Sequence, residues 1–168
     1  MIIVALGANI PAPDGAPPLL TLRRALGALA ALPGLRLVGA SRAWSSAPVP
    51  PSAQPRYVNA VASLAGAAGP AWLLGALQGV EAAAGRQRTV ANAPRTLDLD
   101  IIDLDGLVRS FPDPILPHPR AHQRGFVLRP LAELVPDWVH PGTGATLAGL
   151  IAALPAHDLV EMGPLAPV

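Results

Sequence analysis

The run Pro94-Arg95-Thr96-Leu97-Asp98-Leu99-Asp100-Ile101-Ile102 carries the clearest chemistry in the chain. In an extended strand, residues two apart share a face, so Asp98 and Asp100 stand side by side, roughly 6.6 Å apart at Cα. Leu97, Leu99 and Ile101 then point the other way, into a core. Two carboxylates on one face repel unless a cation lies between them. Hard oxygen donors with no His or Cys beside them favour Mg²⁺, which takes one or two carboxylates and completes its shell with substrate phosphates. Arg95, just upstream, is placed to reach the same phosphates through its planar fork. A bare Asp-x-Asp is also common on exposed strand faces. Asp103 and Asp105 repeat the spacing beside Gly106, where they read as turn residues.

Other polar residues recur at suggestive spacing. Gln78 and Glu81 are three apart on a helical stretch and face one way. Arg86 and Arg88 follow in a loop leading to Arg95, either as phosphate ligands or as a solvated loop. His118, Arg120, His122 and Arg124 form a second polar cluster, followed by Phe126. A flat organic ligand is suggested elsewhere. Gly7 in Gly7-Ala8-Asn9 allows close backbone approach after a strand. Asn59 interrupts an apolar strand and, if buried, must find partners, of which a heterocycle edge is one. Tyr57 and Phe126 are rare in a chain with one Tyr and two Phe. They either fill the core or sandwich a planar ligand.

The elements that must hold these residues follow from periodicity. Ile2–Leu6 is a short buried strand ending at Gly7. Leu19, Leu22, Leu26 and Leu29 recur at helical spacing, and Pro33-Gly34 ends that helix. Leu35–Trp44 reads as a second strand, Tyr57–Leu64 as a third and Leu97–Leu104 as a fourth. Between the second and third lies a loop with Pro48, Pro50, Pro51 and Pro55. Pro70 opens a second helix with Leu73, Leu77, Val80 and Ala84 on one stripe, and Gly85 closes it. Further helices are expected near Arg129–Leu134 and Leu147–Leu154. The order β-α-β-β-α-β predicts an α+β fold with a ferredoxin-like core and extra C-terminal helices and strand, in one domain over 1–168.

Composition removes several function classes. With 51% apolar residues the 168-residue chain is long enough to bury a core. All twelve basic residues are arginine, so any phosphate contact from a basic side chain other than His comes from Arg. A net charge of +1 argues against a broad basic surface for nucleic acid. The absence of cysteine excludes disulfides, thiolate catalysis and Cys-bound zinc. The uncharged stretch Tyr57–Val80 is broken by Asn59, Gly66, Gly69, Pro70 and Gln78, so no membrane span is expected. The start Met1-Ile2-Ile3-Val4 shows no charged lead, and a cytoplasmic monomer is the expectation.

These residues also occur in a familiar order. Pro94–Ile101 resembles the signature of the 6-hydroxymethyl-7,8-dihydropterin pyrophosphokinases. Gly7-Ala8-Asn9 is similar to that family's Gly-Ser-Asn. Gln54-Pro55-Arg56-Tyr57-Val58-Asn59-Ala60 resembles its Gln-Pro-x-Tyr-x-Asn-Ala. The stretch from Gln78 to Arg88 resembles its Gln-x-x-Glu…Gly-Arg-x-Arg, and Pro117–Arg120 and Arg124–Leu128 resemble its late motifs. The resemblance implies diphosphate transfer from ATP to the pterin hydroxymethyl group, with release of AMP. It implies that Asp98 and Asp100 hold two Mg²⁺ ions. It implies ATP contacts from Gln78, Glu81, Arg86, Arg88, Arg95, His118 and Arg124, with Arg86 and Arg95 also catalytic. A reduced pterin would meet Gly7, Ser46, Ala47, Val49, Tyr57, Asn59 and Phe126, the two rings stacking on it.

In-line attack on phosphorus needs positioning and charge neutralisation more than a nucleophilic side chain, and no residue stands out as a general base. The proline-rich loop and the 86–94 segment would close as lids. Three places depart from the family pattern: the loop Asn92-Ala93-Pro94 is one residue shorter and lacks the Trp that often precedes Gly-Pro-Arg, Ser46 replaces Thr, and Pro119 stands where a Tyr sometimes follows the late His. The competing readings are a different two-metal phosphotransferase and a noncatalytic pterin- or nucleotide-binding module.

Overall fold

The computed structural model describes residues 1–87, 93–156 and 158–168. Its strands are β1 (Ile2–Ala8), β2 (Leu35–Ala40), β3 (Ala43–Ser46), β4 (Tyr57–Gly66), β5 (Asp98–Leu104) and β6 (Leu159–Gly163). Its helices are α1 (Pro18–Ala30), α2 (Pro70–Ala83), α3 (Gly125–Leu134) and α4 (Leu147–Ala152), with one 3-10 turn at Ala121–Gln123. The architecture is mixed α/β around an antiparallel sheet of order β5-β1-β4-β3-β6, with β2 also paired to β4.

Strand alternation divides the apolar residues between two faces. Ile2, Val4 and Leu6 of β1 pack with Leu99 and Ile101 of β5 and with the buried stripes of α1 and α2. Leu22, Leu26 and Leu29 supply the α1 stripe, and Leu73 and Leu77 that of α2. Ile3, Val61 and Ile102 face the other way and meet Val127, Leu128, Leu131, Trp138 and Leu147. A fully buried Leu in either layer is worth about 2 kcal/mol over an exposed one. Both α1 and α2 carry proline in their first turn, where the missing N–H has no partner to lose.

Several boundaries differ from expectation, each for a local reason. The predicted strand Leu35–Trp44 is two strands. Ser41 breaks it, its hydroxyl donating to Arg42 O at 2.8 Å and accepting from Val61 N at 2.9 Å. The helix expected near Arg129–Leu134 begins at Gly125 and accommodates Pro130, which is buried against the second core layer. The helix expected to reach Leu154 ends at Ala152, capped at its start by the Thr146 hydroxyl. β5 begins at Asp98 rather than Leu97.

β5 is an edge strand, and unpaired edge groups need partners. Leu99 N donates to Glu81 Oε1 of α2 at 2.8 Å, and Ile102 O accepts from His118 N at 3.1 Å. The strand that carries the carboxylate pair is therefore gripped from outside by two segments that also carry site residues. Among the described residues, no helix is long and apolar enough to cross a membrane.

Candidate active site

The sheet register sets the floor of the site. Gly7 of β1 lies opposite Asn59 on β4 and opposite Asp98 on β5, so the three form one row across the sheet. Adjacent strands are about 4.8 Å apart, which separates Asn59 from Asp98 by about 10 Å with only a glycine between them. Asp98, Asp100, Gly7 and Asn59 share the face whose far end is sealed by α3 and α4.

Each carboxylate of the pair meets cations. Arg86 bridges Asp98 Oδ1 and Glu81 Oε1, the latter at 2.7 Å, and also donates to Leu97 O at 3.1 Å. Arg95 Nη1 meets Asp98 Oδ2 at 2.6 Å. Burial alone would raise the Asp98 pKa, but the Arg95 charge and the Arg86 hydrogen bond outweigh it and hold the carboxyl below its ordinary value. Asp100 Oδ2 is 3.3 Å from Arg124 Nη1 and 3.5 Å from His118 Nε2. His118 Nδ1 accepts from Arg120 N at 3.1 Å, which leaves Nε2 to carry the proton toward Asp100. Burial lowers the His118 pKa, Asp100 opposes this, and Arg124 and Arg120 add to it.

Two hollows open on this wall. One, of about 390 Å³, is lined by Gln78, Glu81, Arg86, Asp98, Asp100 and His118, with Leu74, Ile101, Pro114 and Ile115 as its apolar side. The other, of about 270 Å³, is lined by Pro48, Val49, Pro50, Ser52, Gln54 and Tyr57. Arg95 and Arg124 line both and stand between them. A larger, mostly apolar cleft of about 540 Å³ lies between α1 and α2 and holds none of the residues singled out for chemistry.

Of the other expected residues, Val49 and Tyr57 line the smaller hollow, whereas Gly7, Ser46, Ala47, Asn59 and Phe126 line neither. The Asn59 amide donates to Ser46 Oγ at 2.9 Å and Trp44 O at 3.3 Å, so its carbonyl oxygen is the end turned toward Gly7. Ser46 is buried and orients Asn59 with its hydroxyl. Ala47 is half-buried, and Val49 is exposed on the proline-rich loop. Phe126 packs on the second core layer with the Arg124 guanidinium 5.6 Å above its ring. Gln78 is exposed whereas Glu81, three residues on, is buried, so the pair lines one hollow at different depths. Arg88 and Asn92 lie outside the described residues.

Sequence reasoning missed two contributors. Asn9 is buried and acts as a strut: its Oδ1 accepts from Arg95 N at 2.9 Å, and its Nδ2 donates to Gln54 Oε1 at 3.0 Å and Pro55 O at 3.3 Å. It thus ties the proline-rich loop to the residue before the carboxylate pair. The apolar wall from Leu74, Ile101 and Ile115 was also missed, because aliphatic side chains on α2 and β5 read as core and Ile115 lies in no regular element.

The donor set fits a hard divalent cation in one respect. Two adjacent carboxylates are what Mg²⁺ takes when substrate phosphates complete its shell. No cluster of three or more His, Cys, Asp or Glu that could hold a metal occurs among the described residues. The arginines that neutralise the carboxylates here are themselves strong phosphate donors.

Cations flank a carboxylate pair between one hollow with an apolar wall and another under a proline-rich loop, an arrangement whose chemistry suits phosphate groups. The chain belongs to the 7,8-dihydro-6-hydroxymethylpterin-pyrophosphokinase (HPPK) family, whose model matches residues 3–136. It is 42% identical over 161 residues to the 2-amino-4-hydroxy-6-hydroxymethyldihydropteridine pyrophosphokinase of Pseudomonas aeruginosa, covering 96% of each chain. The Synechocystis enzyme of the same name is 36% identical over 165 residues, 98% of this chain and 80% of that one. A crystal structure of Plasmodium falciparum HPPK-DHPS with pterin and p-hydroxybenzoate superposes with a TM-score of 0.64 over 90% of this chain and 43% of that one. At 11% identity that likeness concerns the fold alone.

Proposed function

We infer that the chain transfers diphosphate from ATP to the hydroxymethyl group of 6-hydroxymethyl-7,8-dihydropterin and releases AMP, a step of folate synthesis. Family membership supports this activity, and the observation that carries the site assignment is the pair of hollows joined at Arg95 and Arg124. The larger hollow suits ATP, with its phosphates toward Arg86, Arg95, Arg124 and His118. The smaller suits the pterin, with Tyr57 and Phe126 as stacking rings and the Asn59 carbonyl as acceptor for an amino or ring N–H. The noncatalytic module and the different phosphotransferase are not favoured.

Asp98 and Asp100 would hold Mg²⁺, which supplies charge neutralisation on the transferred phosphates. Arg86 and Arg95 exchange a carboxylate for phosphate oxygens as the nucleotide binds, keeping Asp98 ionised throughout. His118, neutral with its proton on Nε2, donates to Asp100 in the free site and to a phosphate oxygen in the loaded one. Glu81 supports the reaction by holding Arg86 and the β5 backbone. Asn9 holds Arg95 and the proline-rich loop in register, so that in-line geometry between the two substrates is set by the sheet floor.

The order β5-β1-β4-β2 within the sheet, with α1 and α2 on one face, supports a ferredoxin-like core. We read residues 1–168 as one catalytic domain that works as a cytoplasmic monomer; sedimentation of the purified chain tests the oligomeric part. Incubating the protein with Mg²⁺, ATP and the reduced pterin, and resolving AMP from ADP, tests the reaction. Pterin-dependent AMP that disappears on adding EDTA and in Asp100→Ala is expected. ADP in its place would overturn the reading.

A further inference from the structure

Outside the site, a buried histidine and a half-buried one each have a buried ring nitrogen without a partner. His140 is 5% exposed, and its Nδ1 accepts from Gly142 N and Thr143 N, each at 3.2 Å. Both donors are fixed backbone N–H groups, so Nδ1 is the lone-pair nitrogen and the proton sits on Nε2. That Nε2 is buried without a hydrogen-bond partner, and so is Nδ1 of His122. The two rings meet edge to face with centroids 5.4 Å apart, and Trp138 packs on His140 at 5.6 Å. Trp138 in turn donates from Nε1 to the buried Asp103 at 2.8 Å.

His122 belongs to the Ala121–Gln123 turn, which is a short rigid link. Ala121 N bonds His118 O and Arg124 N bonds Ala121 O, both at 3.1 Å. The residues at its two ends, His118 and Arg124, are the two that meet Asp100. A shift of His122 therefore moves both.

We propose that His140 is a positioning residue: its neutral ring latches the 140–143 turn and seats His122, and protonation of Nδ1 releases the latch and displaces His118 and Arg124 from the triphosphate. This rests on the reading of those two residues as ATP contacts. Protonated Nδ1 becomes a donor facing two backbone donors, and the new charge lies beside the His122 ring. The ionisable groups that act on His140 are His122 from the turn and Asp103 from β5. α4 carries none, and those on α3, Arg129 and Glu133, are exposed, Glu133 being held by Arg42 and Trp44. Burial and the neighbouring His122 both push the His140 pKa down, and a backbone hydrogen bond and Asp103 only partly oppose them. The latch is thus closed at neutral pH and opens only below the ordinary histidine range.

The decisive variant is His140→Asn, whose amide oxygen can replace Nδ1 as acceptor but does not titrate. ATP dissociation constants of wild type and variant are compared from about pH 7.5 to about pH 5, where the protonation of ATP itself is common to both. Agreement at the neutral end is expected, with wild type weakening about threefold more than His140→Asn at the acid end. Superimposable profiles would overturn the latch. Long-range proton–nitrogen spectra of the imidazoles provide a readout independent of ATP. They should show His140 protonated on Nε2 at neutral pH, and a proton on Nδ1 there would overturn the proposal outright. Arg124→Ala, run in parallel, separates the two claims: unchanged ATP affinity would sink the site reading, while the nitrogen spectra still judge the latch.

Discussion

The tripeptide Asp-Leu-Asp occurs twice on one strand region, at 98–100 and at 103–105, and the two copies meet opposite fates. Asp98 and Asp100 lie where α3 does not cover the sheet, and each meets cations that reach over the edge of β5. Asp103 sits under the C-terminal layer, 4% exposed, held by Trp138 Nε1 and Gly106 N, each at 2.8 Å. Asp105 turns the chain at φ 53° and meets the N-terminal amine. The spacing of two carboxylates therefore does not by itself decide their surroundings. Asp98 and Asp100 line a hollow and pair with arginines. A carboxylate sealed against fixed neutral donors becomes a structural pin.

Breaking each copy should show the contrast. Asp98→Asn is expected to lower turnover by at least about a hundredfold while leaving the fold intact, since it removes a carboxylate proposed to hold the Mg²⁺ that would neutralise the phosphates; AMP release and circular dichroism check the two halves. Normal turnover in that variant would place the chemistry elsewhere. The same variant has a second signature. The Asp98 pKa is depressed in the folded state, so its stabilisation is present above the unfolded value near 3.9 and is lost as pH falls through the folded value. Acid unfolding below about pH 4 should accordingly be shallower in Asp98→Asn than in wild type, read by urea titrations at several pH values.

Asp103→Ala reverses the pattern. It strands the buried Trp138 N–H and the Gly106 N–H, and should cost about 3 kcal/mol of stability in urea, with turnover of the folded fraction close to wild type. Loss of turnover with full stability would erase the distinction between the two copies. Ser46→Ala tests the row across the sheet. Without the Ser46 hydroxyl only the longer bond to Trp44 O orients the Asn59 amide, and KM for the pterin should rise roughly fivefold, about 1 kcal/mol, with kcat and KM for ATP unchanged. The smallest effect is expected at Asp105→Asn, which keeps the tolerance for positive φ and removes only an exposed pair. Stability should change by less than about 0.5 kcal/mol.

Much of the frame is legible without coordinates because it rests on short-range rules. Leu22, Leu26 and Leu29 recur at helical spacing and form the α1 stripe. Ile2, Val4 and Leu6 alternate with Ile3 and Ala5, and the two sets face different core layers. Pro18 and Pro70 start helices, and Gly34 and Gly85 adopt positive φ just past the helix ends. Asp98 and Asp100 stand on one strand face because β alternation requires it. The break at Ser41 was not legible, since it comes from a hydrogen bond to a strand twenty residues away. Glu81, which helical spacing pairs with Gln78, turns inward because the edge of β5 presents an unpaired N–H to it.

The sequence by itself determined most of the elements and the family, because periodicity and motif order are properties of neighbours along the chain. Only the tertiary structure decided which Asp-Leu-Asp copy meets arginine and which way Asn59 points. It also decided that Arg95 and Arg124 stand between two hollows. Apart from the Arg95–Asp98 pair, three residues apart, those outcomes depend on contacts between residues distant in the chain, from 12 positions for Arg86 and Asp98 to 86 for Arg95 and Asn9. Local propensity cannot register such contacts, because they exist only once the strands have paired.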